Sequence, residues 1–203
     1  MSHCTKHLRL TASWGVWVFI LAASAPWASV PAAEAKLPVT FSGGHETDRK
    51  DGGRPVVLIA AALEVKPEVF REAFRGVPPA KNGKPSPDEA RSNKAALLKV
   101  LQPYGVTNER LDEVSNYYRY QPQRGELWRT TPAKAYAVVE DGQIKQIVVT
   151  DAGSGYSTPP TATVEGPASI PLKTTLQFGK DLKKNGSVGA VEIAVPERSK
   201  AGS

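Results

Sequence analysis

Three clusters in this sequence combine residue types that can do chemistry. The densest is Tyr117-Tyr118-Arg119-Tyr120 with Arg124, Trp128 and Arg129. Aromatic faces interleaved with guanidinium groups can stack on sugars or bases and pair with phosphates or carboxylates. Packing competes with recognition here: Tyr118 falls on a helical core stripe, and Trp128 is the sole tryptophan beyond residue 27. Aromatic residues serve the core first. The candidate ligand-binding set is therefore Tyr117, Tyr120, Arg124, Trp128 and Arg129. The second cluster is His45 with Glu46, Asp48 and Asp51. Imidazole and carboxylates can bind a divalent ion or exchange protons. Their spacing fits neither a zinc signature nor a calcium loop, and Arg49, Lys50 and Arg54 oppose a cation. The third is the loop carrying Lys180, Lys183 and Lys184, which can touch an anionic surface or keep a sheet edge soluble.

Counts exclude much chemistry. Of 203 residues only Cys4 is a cysteine, and only His3, His7 and His45 are histidines. Cys4, His3 and His7 lie in a segment that reads as a leader, so disulfides, thiol catalysis and cysteine or multi-histidine metal centres fall away. A Ser-His-Asp triad has only His45 to recruit. There is no Gly-x-Ser-x-Gly elbow and no phosphate loop. Asp112 and Glu113 are neighbours on a helix and point apart. The sequence therefore offers no catalytic residues, no metal ligands and no cofactor. A glycosidase-type carboxylate pair assembled only by folding stays open. The formal net charge is +6, with no run of five like charges. Such a balance permits an anionic polymer as partner without calling for a specific nucleic acid.

Residues 1–35 fit a secretory signal peptide. Lys6, His7 and Arg9 precede the uncharged run Trp14–Ala23, Pro26 breaks it, and Ala33-Glu34-Ala35 offers small residues to a peptidase. Ten apolar residues are too few for a bilayer, which takes about 20. Cleavage is expected before Lys36, with Ala23-Ser24-Ala25 a second site. The product is secreted or periplasmic, and no later segment spans a membrane.

Positioning falls to the remaining chain. Residues 36–54, with two Gly-Gly pairs and many charges, read as a flexible lead-in. Residues 55–120 read as a helical region. Val56–Leu63 is an alanine-rich apolar run. Pro67 opens a second helix, with Phe70, Ala73, Phe74 and Val77 on one face and Gly76 at its end. Ser86-Pro87-Asp88-Glu89 is a capping box, followed by Ala90, Leu97, Leu98 and Leu101. Thr107 or Asn108 caps a fourth helix with a stripe of Leu111, Val114 and Tyr118. Residues 121–130 read as a linker. Residues 131–196 read as antiparallel strands, and 197–203 as a polar tail. Asp141-Gly142 between two β-branched runs is a type I′ hairpin signal. Gly153 and Gly155 are read as turn glycines with positive φ, with the Tyr156 ring over the sheet or over Pro159-Pro160. The fold class is α+β: three or four small helices, then an antiparallel β-hairpin domain.

A faint repeat runs through the β part. Gly142–Val149 and Gly186–Ile193 share Gly-x-aliphatic-x-x-aliphatic-x-aliphatic, 44 residues apart. Two unrelated hairpins can look this alike; a duplicated hairpin unit is the alternative. Ala135–Val164, with Gly153-Ser-Gly-Tyr156 and Pro159-Pro160, resembles a short β-repeat of secreted bacterial and phage tail-type proteins. The whole chain, including Asn93–Tyr120, resembles a set of uncharacterised secreted bacterial proteins. The resemblance implies a structural or adhesive role and carries over no functional residue. The expected function is an exported, non-enzymatic binding or structural module of the cell envelope. Its partner would be an anionic or carbohydrate polymer or another envelope protein. The alternative is a small secreted hydrolase acting on polysaccharide or peptidoglycan through carboxylates.

Overall fold

A computed structural model describes residue 1 and residues 34–77, 85–119, 125–166 and 170–194. The leader up to residue 33, most of the 77–86 linker, Tyr120 with Arg124, and the tail lie outside the described residues. Met1–Pro31 and Ala32–Ser203 separate as two units, and the second is described below.

The sheet has six antiparallel strands: β1 (Ala35–Ser42), β2 (Lys134–Glu140), β3 (Gln143–Asp151), β4 (Thr161–Val164), β5 (Pro171–Gln177) and β6 (Ser187–Ile193). Their spatial order is β3-β2-β1-β4-β5-β6. This corrects two expectations. The lead-in at 36–54 is not a loop throughout: its first part is β1, a central strand. The β part is likewise not a separate hairpin domain: β2–β6 follow the four described α-helices, but they join β1, which precedes those helices, in one six-stranded sheet. Period-two alternation explains β1, since Leu37, Val39 and Phe41 turn inward while Lys36, Pro38 and Thr40 are exposed. Pro38 and the Gly43-Gly44 pair mask that signal. Pro38 pairs with Tyr136 of β2 but turns its backbone towards the β4 side, where its oxygen accepts from Glu165 N–H just past the last β1–β4 pair, Val39↔Val164, so its missing N–H removes no ladder bond.

The strand order reads the same from both ends, and the registers show why. Val139↔Ile144 and Ala137↔Ile147 in β2–β3 correspond to Leu176↔Val188 and Thr174↔Val191 in β5–β6. Each ladder slips by one residue at the same place, between Val138/Val139 and between Thr175/Leu176, leaving Lys145 and Gly189 as equivalent bulges. The return strands follow equivalent Asx-Gly pairs, Asp141-Gly142 and Asn185-Gly186. A pseudo-two-fold axis passes between the paired Thr40 and Thr163, relating β1-β2-β3 to β4-β5-β6. The 44-residue spacing is thus that of a duplicated three-stranded unit. The outer strands also approach one another: Val188 N–H donates to Ala152 O at 2.8 Å, so the sheet curls towards a barrel.

The first three-stranded unit, β1-β2-β3, carries the helical insertion between β1 and β2. It comprises α1 (Val56–Ala62), α2 (Pro67–Arg75), α3 (Pro87–Leu101) and α4 (Asn108–Tyr117). The terminal signals act as read. Ser86 Oγ accepts from Glu89 N–H at 3.2 Å while the Glu89 carboxylate accepts from Ser86 N–H at 2.8 Å. Thr107 caps α4 by accepting from Arg110 N–H at 3.1 Å. Leu58, Leu101 and Val114 are fully enclosed at the centre of the helical core, which also takes in Leu182 from the β5–β6 loop. Ala90, assigned to the buried face of α3, is exposed.

Candidate functional site

The aromatic–basic cluster divides into a packed part and a surface part. Trp128 is 3% exposed, and its Nε1–H donates to Gly155 O at 2.8 Å. It therefore leaves the ligand-binding set: an indole buried with its donor satisfied is a wedge between helices and sheet. Its neighbour Arg129 is exposed and places its guanidinium 4.8 Å from the centroid of Tyr117, which is half-buried at the end of α4. Tyr117 meets Tyr118 edge-on at 5.1 Å. Tyr118 is buried, and burial pushes its phenol up to about 12 although Asn185 donates to its oxygen at 2.8 Å. Of the five predicted residues, the structure thus pairs Tyr117 with Arg129 and buries Trp128. Tyr120 and Arg124 lie outside the described residues.

Asp141 and Gly142 have φ of 51° and 75°, the left-handed values that a type I′ turn requires. At Gly155, with φ of 83°, a Cβ would stand 2.6 Å from Arg129 O, so this glycine provides the close approach that places Arg129 and Trp128. Gly153 does the same against Thr131 and Ala133. Tyr156 is buried against the sheet, in one cluster with Val188 and with Phe41, Val149, Leu176 and Val191 around it. Its ring stacks on His45 at 5.1 Å and 5°, and its hydroxyl accepts from Ala133 N–H at 2.9 Å. His45 also meets Trp128 edge-on at 6.1 Å. The second half of the lead-in is thereby fixed against the sheet, with Ser157 and Thr158 N–H donating to Gly44 O at 2.9 and 3.2 Å.

Sequence reasoning missed the cleft beside that loop. Asp51, 6% exposed, ends a single 3-10 turn (Arg49–Asp51) and accepts two bonds from Arg71 of α2, at 2.7 and 2.9 Å. This bidentate pair holds Arg71 more firmly protonated than usual, the hydrogen bond outweighing burial. Arg54 lays its guanidinium over Phe74 at 4.0 Å and donates from Nη1 to Asp51 O at 3.0 Å. A hollow of about 260 Å³ opens on one side of these residues, and another of about 180 Å³, reaching Glu46, Ser157 and Thr158, on the other. The Phe70–Phe74 spacing was legible. The partnership of Asp51 with a residue 20 positions away left no local signal.

The carboxylates of this region are committed. The Thr158 hydroxyl, followed by Glu46's own N–H, holds the Glu46 carboxyl below the usual range, and the Lys50 ammonium does the same for Asp48. Among the described residues no group of three His, Cys, Asp or Glu side chains could hold a metal ion, and no helix is long and apolar enough to cross a membrane. No protein-family model, curated protein or solved structure matches this chain.

Proposed function

We propose that this chain is an exported, non-enzymatic binding module of the cell envelope whose ligand is an anionic polymer, engaged at the Tyr117–Arg129 surface. The observation that carries this reading is the stack itself. An exposed guanidinium 4.8 Å from the centroid of an aromatic ring, with Trp128 buried beside Arg129 and Tyr118 beside Tyr117, suits a carboxylate or phosphate lying beside a sugar face. Export is compatible with the architecture: cleavage before Lys36 would remove only Ala35, the first residue of β1, and leave Lys36–Ser42 of the central strand. The β-repeat resemblance fits a module that presents a surface. The competing hydrolase reading needs one protonated and one ionised carboxyl facing each other. In the cleft Asp51 is taken by Arg71, and Glu46 and Asp48 are held towards the ionised form, which favours binding over acid catalysis.

Binding of the full chain to polygalacturonate, with neutral dextran as control, tests the proposal. Arg129→Ala should weaken polygalacturonate binding several-fold, with the difference shrinking as salt screens the charge. Its melting temperature should stay nearly constant, because an exposed arginine contributes little to stability. A destabilised variant that binds unchanged would assign Arg129 to packing and sink the proposal. The intact mass of the exported form decides the cleavage site, and a mass starting at Met1 would remove the export claim.

A further inference from the structure

The cleft at Arg54 does not take part in the Tyr117–Arg129 surface, and its lining has a composition of its own. Val56, Phe70 and Phe74 supply an apolar floor, and Lys50, Arg54, Arg71 and Arg75 supply four cationic groups. Asp51 is the lone carboxylate in that lining, and both its oxygens are held by Arg71. Lys50 and Arg75 are paired outside the lining with Asp48 at 3.0 Å and Glu72 at 2.5 Å. Arg54 differs from the other three. Among the described residues no carboxylate lies within 4.0 Å of its guanidinium. Its ring face is fixed by Phe74 and one N–H by Asp51 O, while no protein acceptor among the described residues takes its remaining donors, Nε and Nη2.

Such a half-buried guanidinium is already oriented, so a ligand meets little of the ordering cost of a free arginine. Arg71 also meets the exposed Glu68, outside the lining, at 3.2 Å, and Arg54 is the one cation of the lining without a carboxylate partner among the described residues. One unmatched positive charge beside two phenyl rings matches a monoanion with an apolar body better than a phosphate dianion. The planar guanidinium also suits a carboxylate. At about 260 Å³ the hollow is below the roughly 300 Å³ at which drug-sized sites begin, so the occupant is small. We propose that the Arg54–Phe74 cleft binds a small monocarboxylate carrying an aromatic or aliphatic tail, with Arg54 holding the carboxylate and Phe70, Phe74 and Val56 covering the tail.

The test is calorimetric titration of the full chain with 3-phenylpropionate and hexanoate, with 3-phenylpropanamide as the uncharged analogue and inorganic phosphate as a second anion. Both carboxylates should bind, and the amide should bind at least ten-fold more weakly. Arg54→Gln should weaken carboxylate binding at least ten-fold and Arg54→Lys by less, while Lys173→Ala, which removes a charge from an exposed position on β5, should change nothing. Thermal melts report whether each variant folds. Should Arg54→Gln fail to fold, Arg54→Lys and the amide comparison carry the decision. Equal affinity for acid and amide, unchanged binding by Arg54→Gln, tighter binding of phosphate than of either carboxylate, or no heat from any probe would each overturn the assignment. Polygalacturonate binding is measured separately, so failure here leaves the Tyr117–Arg129 proposal standing.

Discussion

The two halves of the sheet share a register, a bulge and an Asx-Gly pair, yet they meet opposite surroundings. In the first unit Asp141-Gly142 forms a bare two-residue turn, both residues exposed. In the second, Asn185-Gly186 ends the longer β5–β6 loop and is driven into the helical insertion. Asn185 is 1% exposed and donates to Leu58 O at 2.7 Å and to Tyr118 Oη at 2.8 Å. The same local chemistry thus serves as a solvent turn in one copy and as a bolt in the other. A duplicated unit conserves backbone geometry, while the insertion in one copy decides which side chains become buried and which form sites.

Substitution at equivalent positions can break this comparison. The largest effect is expected at the glycines. Gly142→Ala meets open space and only the strain of a φ of 75°, about 1 kcal/mol. Gly186→Ala adds to similar strain a Cβ pressed against Tyr156 O and the Leu58 side chain, for a total of about 4 kcal/mol. Urea unfolding of both variants measures the difference, and equal losses would show that the β5–β6 loop is not clamped.

The residues just before them come next. Asn185→Ala leaves a cavity and removes two donated bonds, as well as the one that its Oδ1 accepts from Gly179 N–H at 3.1 Å. A cost of about 3 kcal/mol is expected, against under about 1 kcal/mol for Asp141→Ala on the exposed turn. A loss at Asn185 no greater than at Asp141 would remove the bolt.

Alkaline pH tests the same contact from the other side. Tyr118 is raised to about 12 from an ordinary value near 10, so the folded chain holds this proton more tightly than the unfolded one. Its contribution is complete below pH 10 and is lost as pH rises from 10 to 12. Tyr118→Phe should flatten that limb of the stability curve. An unchanged alkaline limb would place the phenol in water.

The smallest effect belongs to the bulges. Lys145 occupies its bulge with a full side chain, so Gly189→Ala should be tolerated within about 1 kcal/mol once the exposed Gln177 side chain turns aside. A larger loss in a melt would mean that the two bulges differ in backbone shape.

Much of this architecture was legible because it is local. The capping box at Ser86, the cap at Thr107, the faces of α2 and α4 and the Asp141-Gly142 turn each rest on residues within one or two turns of chain. β1 escaped because a proline and two glycine pairs outweighed its alternation in a reading based on composition. The double role of Asn185 and the Asp51–Arg71–Arg54 grouping escaped for another reason: their partners are brought by the insertion, tens of residues away. Trp128 has the chemistry of a ligand contact yet anchors the surface beside it, since its indole N–H is met by the Gly155 carbonyl and its rings by the helical core.

The pairing of Thr40 with Thr163 bears on the order in which the chain is made. β1 is the first of the described strands to be synthesised, yet its neighbours β2 and β4 follow only after the whole helical insertion. Closing so long a loop adds only about 0.6 kcal/mol for each doubling of its length, so the delay weighs on rate more than on final stability. Throughout most of translation the central strand has nothing to pair with, and a nascent chain halted before residue 161 still lacks β4 and leaves one flank of β1 bare. A sequence arranged this way leaves its sheet unformed until the last third of the chain emerges, although the helical insertion between β1 and β2 is already complete by then.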